Sequence, residues 1–493
     1  MPSIDSEKHA VGHTDVTKVD SSATVPPVPS ITPEEDKRVL RKIDWRLLPL
    51  MCTIYGLQFL DKTSLTYASV MGFQYDLRIG VNEYAWVASI FHFGYLAGEY
   101  PMCLALHKFP IAKVTSLMII IWGFILCMMT VGKNYAHMLA IRFLLGFFES
   151  GIAPSLVLIT AQYYRKGEQG TRVGIWASFN TLGGIFGGAV AYGLAQADVK
   201  RTLSMKGWRV LFILLGLMTV VVGILFWFFI PDSPEKASFL QSEDEKRVHK
   251  ARMAENQVVM AEKKWEWDQV WECFRDPVVY LYCLCALCTN IPNGAISNFF
   301  GILVVSMGFT PHQALLLAIA NAWLAFLIIF ALWAGDRWKN RCLISIPCAM
   351  ISVLGAALVC GLPFNLKYGR LVGNYLSLAF AVPLIVGMSL ITTNVGGRTK
   401  KTTVNALFFI FLCVGNIIGP QTYKTKDAPR FAPALLTVVI MDIITVVIMA
   451  GIYLIYRYRN AKRDKEMGVE KPDPSVQLQD ISDLKNPHFR YAL

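Results

Sequence analysis

The sequence predicts an all-α protein that crosses a membrane twelve times, in two pseudo-symmetric bundles of six helices. The first observation is composition: 54% of the 493 residues are hydrophobic, and the mean hydropathy of +0.43 is too high for an ordinary soluble protein. The second is that the apolar residues form runs of about 20 residues or more, long enough for a helix to span a bilayer. The third is that these runs fall into two blocks separated by a charged segment.

The apolar runs and the polar segments between them define five regions. Residues 1–44 are predicted to be a disordered tail that ends in a short juxtamembrane helix, because few of them are apolar. Residues 45–230 and 278–456 each hold six spans, and residues 231–277 form a linker rich in Glu and Lys. Residues 457–493 form a polar tail that we expect to be disordered. The predicted spans lie near residues 47–71, 84–107, 111–131, 136–163, 173–195, 208–230, 278–305, 314–334, 343–362, 372–395, 403–423 and 433–456.

Basic residues predict the orientation of the chain in the membrane. They are concentrated in the loops after even-numbered spans, in the linker and in the tails. By the positive-inside rule, both termini and the linker are cytosolic. We expect a multi-pass protein of the plasma membrane, with a vacuolar membrane as the alternative. The same distribution accounts for the net charge of +12, so lipid headgroups, and no nucleic acid, are the expected partners of these residues.

A glycine-rich segment recurs in the two halves. Residues 183–188 in the fifth span read GGIFGG, and residues 415–420 in the eleventh span read GNIIGP. Close helix packing would explain either segment alone. Their matched positions favour two parallel halves related by an axis along the membrane normal.

The first span carries an acid and a base side by side, Asp61 and Lys62. A charge at mid-depth in a bilayer costs about 2.5–3.5 kcal/mol on insertion scales, so the pair indicates a polar cavity. Neighbouring residues on a helix are about 100° apart. We therefore expect one side chain to face a lumen while the other pairs with a polar partner.

Further charged residues lie in the second and fourth spans. His92 and Glu99 share one helical face, and Arg142 and Glu149 have the same spacing of seven residues. Carboxylates, cations and an imidazole together are the components of a proton-coupled anion site. The alternative for Arg142 and Glu149 is a buried structural pair.

The second half carries amides where the first carries charges. Asn290 and Asn293 flank Pro292 in the seventh span, where a proline frees backbone groups that can line a cavity. Asn394 lies in the tenth span. Hydrogen bonding between helices is the structural alternative for each amide. The predicted substrate contacts of both halves are Lys62, Asp61, Arg142, His92, Asn290, Asn293 and Asn394.

Three carboxylic acids are the predicted carriers of a coupled proton: Glu149, Asp61 and Glu99. Burial favours the neutral form of a carboxylic acid, so a buried acid can load a proton while a nearby cation anchors an anionic substrate.

The sequence does not indicate an enzyme. Its eight histidines are scattered, and it contains no H-E-x-x-H, Walker A or comparable motif. Cys283, Cys285 and Cys288 form a C-x-C-x-x-C cluster, but they do not share one helical face and have no accompanying histidine, which favours packing over metal binding. We expect no disulfide framework, metal or cofactor.

Short segments along nearly the whole membrane portion resemble those of the fungal allantoate permease family. This family is a branch of the anion:cation symporters in the major facilitator superfamily. The segments are LDKT at 60–63, YA at 67–68, FGY at 93–95, YP at 100–101, KFP at 108–110, RFLLG at 142–146, Glu149, Pro154, NIPNG at 290–294, SNF at 297–299, NVGG at 394–397, TKK at 399–401, GNIIGPQ at 415–421 and AP at 428–429.

The resemblance implies the major facilitator fold and proton-driven uptake, by alternating access, of a small organic anion or related metabolite. Allantoate, ureido acids, small peptides and vitamin carboxylates are the implied substrates. Similarity to the vesicular glutamate and sialic acid carriers implies functional roles for Lys62, Arg142 and Glu149, although the span-seven arginine of those carriers is missing here. We expect a functional monomer. An exporter of a fungal secondary metabolite and a nutrient sensor are the alternatives.

The loop between the eighth and ninth spans resembles a charged latch of the same superfamily. It reads GDRWKNR at residues 335–341, and the family pattern implies gating roles for Asp336, Arg337 and Arg341. The corresponding loop after the second span lacks this pattern.

Overall fold

The computed structural model describes residues 32–234, 237, 239–240, 242–257, 265–467 and 481–493, so most of the predicted amino-terminal tail lies outside the described residues. The described residues form helices, and no strand occurs among them. Nine spans are single helices: Pro33–Val70 (span 1), Val81–Lys108 (span 2), Ile111–Met128 (span 3), Lys166–Val199 (span 5), Gly207–Phe229 (span 6), Pro277–Ser306 (span 7), Arg341–Gly361 (span 9), Arg398–Gln421 (span 11) and Ala432–Met467 (span 12).

The other three spans are each interrupted. Span 4 breaks at Ser150 and Gly151, and a 3-10 turn interrupts spans 8 and 10. Span 4 comprises Tyr135–Glu149 and Ile152–Tyr163; span 8 comprises Pro311–Ile319, Ala320–Ala322 and Trp323–Arg337; span 10 comprises Lys367–Leu376, Ser377–Phe380 and Ala381–Asn394. The shorter helices are Phe73–Leu77, Glu243–Gln257, Trp267–Arg275 and the 3-10 turn Thr425–Asp427.

The predicted fold class is confirmed as an all-α protein of twelve spans in two bundles. Ten spans are long and apolar enough to cross a membrane by length and composition alone. Spans 1 and 2 have the length, but the charged residues of the site, Asp61 and Lys62 in span 1 and Glu99 in span 2, interrupt their apolar runs.

Equivalent pairs of spans pack together in the two halves. Span 5 packs along span 1 as span 11 packs along span 7, and span 3 pairs with span 6 as span 9 pairs with span 12. The repeated glycines lie in the first of these contacts. A Cβ at Gly183 would overlap Gly56 of span 1, and one at Gly419 would lie 2.6 Å from the backbone nitrogen of Ala295 in span 7. The repeated glycine segments thus form equivalent helix contacts.

The amino-terminal end of span 1 is longer than predicted. Thr32 caps this helix: its hydroxyl accepts from the Glu35 backbone, and the Glu35 carboxylate accepts from the Thr32 backbone. This reciprocal capping box satisfies amide groups that an uncapped helix would leave without partners. The predicted short juxtamembrane helix and the first span are therefore one continuous helix.

The two ends of the bundle differ in how the halves meet. The linker end carries Pro33, the two linker helices and residues 481–493; the far end is opposite. Among the described residues, all hydrogen bonds between the halves lie toward the far end. They run from Thr66 to the carbonyl oxygens of Ser297 (2.7 Å) and Asn298 (2.8 Å), from Tyr84 to Asn298 (2.9 Å), from Ser89 to Ile417 (2.8 Å), from Gln421 to Ser89 (3.0 Å) and from Thr425 to Asn82 (3.1 Å). In the described chain, hydrogen bonds therefore close the far end between the halves, and the space between the halves on the linker side of these bonds is termed the cleft.

A buried arginine joins the linker to the first half. The Arg252 side chain, in linker helix Glu243–Gln257, is fully buried and pairs with Glu168 of span 5 at 2.7 Å and with Asp36 of span 1. Glu168 and Asp36 lie 84 and 216 residues before Arg252 in the chain. The ion pairs therefore fix this helix to the ends of two spans.

A buried lysine, Lys400, joins the linker to the second half, as Arg252 joins it to the first. Lys400 Nζ lies 2.8 Å from carboxylate oxygens of Glu272 and Asp483 and 3.3 Å from Asp276. The first acid belongs to linker helix Trp267–Arg275, and Asp483 belongs to the carboxyl-terminal tail. One cation thus ties span 11, the linker and the tail together.

The carboxyl-terminal tail differs from the prediction. Span 12 continues as a helix to Met467, and residues 481–493 pack on the linker end of the second half. The Tyr491 ring stacks on Tyr456 at 4.5 Å, and its hydroxyl donates to Asp483 at 2.8 Å. The predicted disorder is wrong for residues 481–493, because this polar segment bonds to a helical surface instead of needing a core of its own.

We expect linker helix Glu243–Gln257 to loosen as the pH falls. His249 is 3% exposed, neither ring nitrogen has a hydrogen-bonding partner among the described residues, and the ring lies 5.8 Å from that of Tyr163. Burial, assisted by the charge of Arg252, lowers the pKa of His249 to about 4. Because the folded pKa is lowered, the stabilisation is complete above the unfolded pKa of about 6.5 and is lost as the pH falls through about 4.

Hydrogen exchange over residues 243–257, corrected for intrinsic rates, measures this effect. Protection should decrease between about pH 6.5 and pH 4 in the wild type. His249→Phe keeps a ring against Tyr163 and removes this titration, so its protection should decrease less than that of the wild type over the same pH range. Equal pH dependence in both proteins would contradict the assignment to His249.

Candidate functional site

Spans 2 and 4 cross at an unusually short distance, and this crossing positions the charged residues of the first half. A Cβ at Gly94 would overlap the Phe143 carbonyl, and a Cβ at Gly146 would overlap the Phe91 carbonyl. Gly98, one turn further along span 2, faces span 4 in the same way. Glycines at spacings of four let helix backbones approach closely. The polar side chains that flank these glycines are consequently brought beside one another.

Replacing Gly146 by alanine should destabilise the first half. The added Cβ would meet the Phe91 carbonyl and lie 2.9 Å from the Tyr95 backbone nitrogen. Backbone atoms cannot rotate away from the added Cβ as a flexible side chain can. We therefore expect the loss of folding stability that is typical of overpacking, about 1–3 kcal/mol or more. The melting temperature of the purified protein should fall. Gly174→Ala is the matched control, because nothing lies within 4 Å of its Cβ position; an equal effect at both sites would contradict the close crossing.

Asp61 and Lys62 point to different environments. Asp61 is 1% exposed; its Oδ2 accepts from Trp122 Nε1 of span 3 at 2.8 Å, and its Oδ1 lies 3.4 Å from the Ser64 hydroxyl. Lys62 is exposed, with its ammonium 5.7 Å from the centre of the Tyr95 ring. Asp61 therefore holds span 1 against span 3, and its predicted contact with substrate and its predicted proton exchange stay predictions. Lys62 is the cation that remains accessible.

Arg142 and Glu149 are buried and do not pair with each other. They are 3% and 0% exposed, and among the described residues no nitrogen-to-oxygen distance between them falls within 4 Å. Arg142 leaves Nε and Nη2 unbonded, and both Glu149 oxygens lack a hydrogen bond within the described chain. Gln58 of span 1 and the charge of Lys62 are close enough to Glu149 to interact with it. The structural-pair alternative does not fit this geometry.

His92, Tyr95 and Glu99 line span 2 beside these groups. The charges of Lys62 and Arg142 act on His92, whose Nδ1 is buried without a partner among the described residues. Glu99 lies one turn beyond Tyr95; its Oε1 is 3.9 Å from the Cys103 sulfur, and its Oε2 is unbonded in the described chain. The Tyr95 ring contacts the Phe409 ring of span 11 at 5.6 Å. Tyr95 thus joins the charged side of the cleft to the second half.

The second half presents a connected group of amides. Asn416 Nδ2 donates to Asn290 Oδ1 at 2.9 Å, and Asn293 Nδ2 donates to Asn416 Oδ1 at 3.0 Å. The exposed hydroxyl of Ser297 donates to Asn293 Oδ1 at 3.1 Å. Asn290 is 1% exposed, whereas Asn293 is half-buried. Spans 7 and 11 thereby hold Asn293 and Ser297 at the accessible edge of an amide network.

Two predicted groups lie at the linker end, away from these residues. Asn394 donates to the Ala492 carbonyl at 2.7 Å and accepts from the Ala492 amide at 2.8 Å, so its side chain binds the carboxyl-terminal tail. The prediction that Asn394 contacts substrate is therefore corrected. Arg341 pairs with Asp336 at 2.8 Å and donates to the Ser389 hydroxyl at 2.8 Å. Arg337 is exposed beside this pair.

Several site residues were not identified from the sequence. Trp122, which holds Asp61, and Gln58, which neighbours Glu149, lie on spans whose periodicity gives no sign of a polar partner. Asn416 was recognised only as part of the glycine repeat. The spacing of Gly94 and Gly98 was an available signal, since small residues four apart indicate close helix approach.

The described residues contain no group of His, Cys, Asp and Glu side chains that could hold a metal ion. Cys283, Cys285 and Cys288 are free thiols buried in span 7. In that apolar setting a thiol packs as a small hydrophobic group.

Comparisons with known proteins agree with this architecture. The model of the Major Facilitator Superfamily matches residues 51–420. The chain is 37% identical to an uncharacterized transporter from Schizosaccharomyces pombe, over 94% of this chain and 91% of the relative. It is 34% identical to the allantoate permease of Saccharomyces cerevisiae, over 94% and 88%. A solved bacterial homologue of the human lysosomal transporter Spinster, in an inward-facing occupied conformation, aligns with a TM-score of 0.62 and 17% identity over 83% of this chain and 96% of that one.

Proposed function

The chain belongs to the major facilitator superfamily and is a membrane transporter of small molecules, not an enzyme; on this premise, we propose that it couples the uptake of a small organic anion to protons. The resemblance to the allantoate permease family is confirmed.

The supporting observation is a set of uncommitted charges around one cleft. Lys62 is exposed beside Tyr95, Arg142 keeps two unbonded nitrogens, and Glu149 keeps two unbonded oxygens among the described residues. Leaving a buried charge without a partner costs several kcal/mol. A structural network would have paired these groups. A carboxylate that enters between the two cations would supply the missing acceptor.

Glu149 is the proposed proton carrier. It is fully buried and lies within reach of Gln58 and of the charges of Lys62, Asp61 and Arg142. Neither of its oxygens meets a donor at ordinary hydrogen-bond geometry in the described chain. In the proposed cycle, protonated Glu149 leaves both cations available for a substrate carboxylate. After the substrate leaves, Glu149 releases its proton and its carboxylate offsets the cations, which allows the empty protein to return.

The amide network suggests which anions fit. Asn293 and Ser297 present donors and acceptors on the second half of the protein. A ureido or amide group needs both kinds of partner, whereas a simple carboxylate needs only donors. Together with the similarity to allantoate permease, this favours ureido acids such as allantoate over other anions of the class, including small peptides and vitamin carboxylates.

The arrangement of the halves supports alternating access. Their hydrogen bonds lie toward the far end, so the described conformation is open at the linker end. The positive-inside rule assigns the linker end to the cytosol, which makes this conformation inward-facing. We propose a monomer in the plasma membrane, with both termini cytosolic and with Asp336, Arg337 and Arg341 in a latch that rearranges between states.

A radiolabelled uptake panel tests the proposal. Reconstituted proteoliposomes, with and without an inward proton gradient, are offered allantoate, ureidosuccinate, a dipeptide and nicotinate. We expect gradient-driven accumulation that is greatest for a ureido acid and is abolished by a protonophore. Accumulation of a substrate without dependence on the gradient would contradict proton coupling. Transport only outward would indicate an exporter, and binding without flux would indicate a sensor.

A further inference from the structure

A second buried cation without an acidic partner, Arg370, lies near the far end of the second half. Arg370, in the first helix of span 10, has no exposed surface; its Nε is 3.3 Å from the Val359 carbonyl oxygen, while Nη1 and Nη2 have no partner among the described residues. Asn374, one helical turn further on, is 1% exposed, and its Nδ2 is likewise unbonded in the described chain. Residues four apart share a helical face. Three buried N–H groups are therefore presented together.

A second arginine adds to the positive charge. The Arg370 guanidinium lies 4.4 Å from the centre of the Phe364 ring, and that of Arg430 lies 5.8 Å from the same centre. Arg430 donates to the Cys360 carbonyl at 2.8 Å. No acidic side chain in the described chain forms an ion pair with either arginine. Two positive charges thus face one ring, and no acidic side chain among the described residues pairs with either of them.

Capping of span 9 explains only part of this arrangement. Arg370 Nε and Arg430 Nη2 bond to the last carbonyls of that helix, which is a common role for arginine at a helix end. It leaves Arg370 Nη1, Arg370 Nη2 and Asn374 Nδ2 without acceptors. Each buried donor without a partner costs about 1–3 kcal/mol, and more when it is charged. An acceptor at this place would recover that free energy.

We propose that Arg370, Asn374 and Arg430 bind a small monovalent anion of the size of chloride. The Arg370 and Asn374 side chains are enclosed, which excludes a large organic anion, and the donors are N–H groups, which a halide accepts readily. Arg370 and Asn374 are buried, so one negative charge beside them would offset the nearby cations more effectively than it would in water. This site lies in spans 9 and 10 and the loop before span 12, and it does not depend on the proposed transport chemistry.

Thermal unfolding of the purified full chain tests the site. The protein is heated in sodium chloride and in sodium gluconate at equal ionic strength. We expect chloride to raise the melting temperature saturably by about 2–4 °C, because a ligand bound to the native state stabilises it by mass action. Equal melting temperatures in the two salts over the whole titration would overturn the proposal.

An internal carboxylate provides the decisive variant. Asn374→Asp places an acid one turn from Arg370, where it can replace the anion. We expect this variant to be as stable in gluconate as the wild type is in chloride, and to respond to neither salt specifically. Lys367→Gln is the matched control, because its ammonium lies over the Phe309 and Tyr368 rings and touches neither buried donor; it should keep the chloride response.

If Asn374→Asp does not fold, a third variant tests the site. Arg430 is half-buried and can be replaced by glutamine with less disturbance. Arg430→Gln should raise the apparent dissociation constant of chloride about tenfold, since one of two nearby cations is removed. An unchanged dissociation constant in Arg430→Gln, or a chloride response that persists in Asn374→Asp, would overturn the proposal.

Discussion

Replacing Glu149 by glutamine should abolish proton-driven accumulation while leaving exchange of substrate across the membrane. Glutamine has nearly the size and shape of protonated glutamate, so the 0% exposed site need not repack. The variant cannot release a proton, and the empty protein cannot use a carboxylate to offset Lys62 and Arg142. We expect gradient-driven uptake to fall about a hundredfold, corresponding to about 3 kcal/mol for an uncompensated buried charge.

Two assays on the same proteoliposomes separate coupling from binding. Net uptake under an inward proton gradient should be lost in Glu149→Gln, and counterflow between equal substrate pools should be retained and should no longer depend on pH. In the wild type, lowering the external pH should accelerate uptake, because it loads the carrier acid before substrate enters. Uptake is expected to rise, and not fall, at low external pH because the carrier acid is protonated before the substrate binds.

Glu99→Gln is the comparison that assigns the proton to one acid. Glu99 lies one turn from Tyr95 and has a partly exposed side chain, whereas Glu149 has none. We expect Glu99→Gln to keep gradient-driven uptake. If Glu99→Gln loses coupling and Glu149→Gln retains it, the carrier lies on span 2 and the role given to Glu149 is wrong.

The sequence was sufficient for the elements whose signal is local. Apolar runs reveal spans because lipid requires about 20 apolar residues, and the charges of span 1 stand out because their cost in a bilayer is high. The repeat is visible because glycines four residues apart occur both at Gly183 and Gly187 and at Gly415 and Gly419. Each of these patterns can be recognised from the order of residues alone.

Pairings between distant segments could not be predicted in this way. Asp61 bonds to Trp122, and Asn394 bonds to Ala492, which is 98 residues away. No periodicity encodes which polar side chain meets which, because both partners satisfy the same local pattern. Asp61 and Lys62 looked equivalent in the sequence, and packing against span 3 gave them different environments.

The carboxyl-terminal tail shows that composition, too, fails to predict contacts with distant segments. Residues 481–493 are too polar to build a core, which predicts disorder. They are ordered because Asp483 bonds to Lys400 of span 11 and Tyr491 stacks on Tyr456 of span 12. The surface that receives them exists only after the spans have packed. Composition indicates whether a segment can fold by itself. Residues 481–493 are instead ordered by their contacts with spans 11 and 12.

Replacing Lys62 by alanine should weaken the binding of an anionic substrate more than any other single change in the cleft. Lys62 is the accessible cation there, whereas Arg142 is 3% exposed. A hydrogen bond to a charged group contributes about 1.5–3 kcal/mol, so KM should rise roughly 10- to 100-fold. Lys62→Arg retains the charge but changes its geometry, and we expect an intermediate loss.

Two controls separate loss of charge recognition from general damage. Lys113 also lies over an aromatic ring, 4.5 Å from the centre of Trp227, but it is on span 3 outside the cleft, so Lys113→Ala should transport normally. A carboxamide analogue of the substrate lacks the charge that Lys62 binds, so its weak transport should be equal in the wild type and in Lys62→Ala. If Lys62→Ala keeps the wild-type KM for the acid, the substrate carboxylate must bind elsewhere, and Arg142, with its two unbonded nitrogens, becomes the anchor.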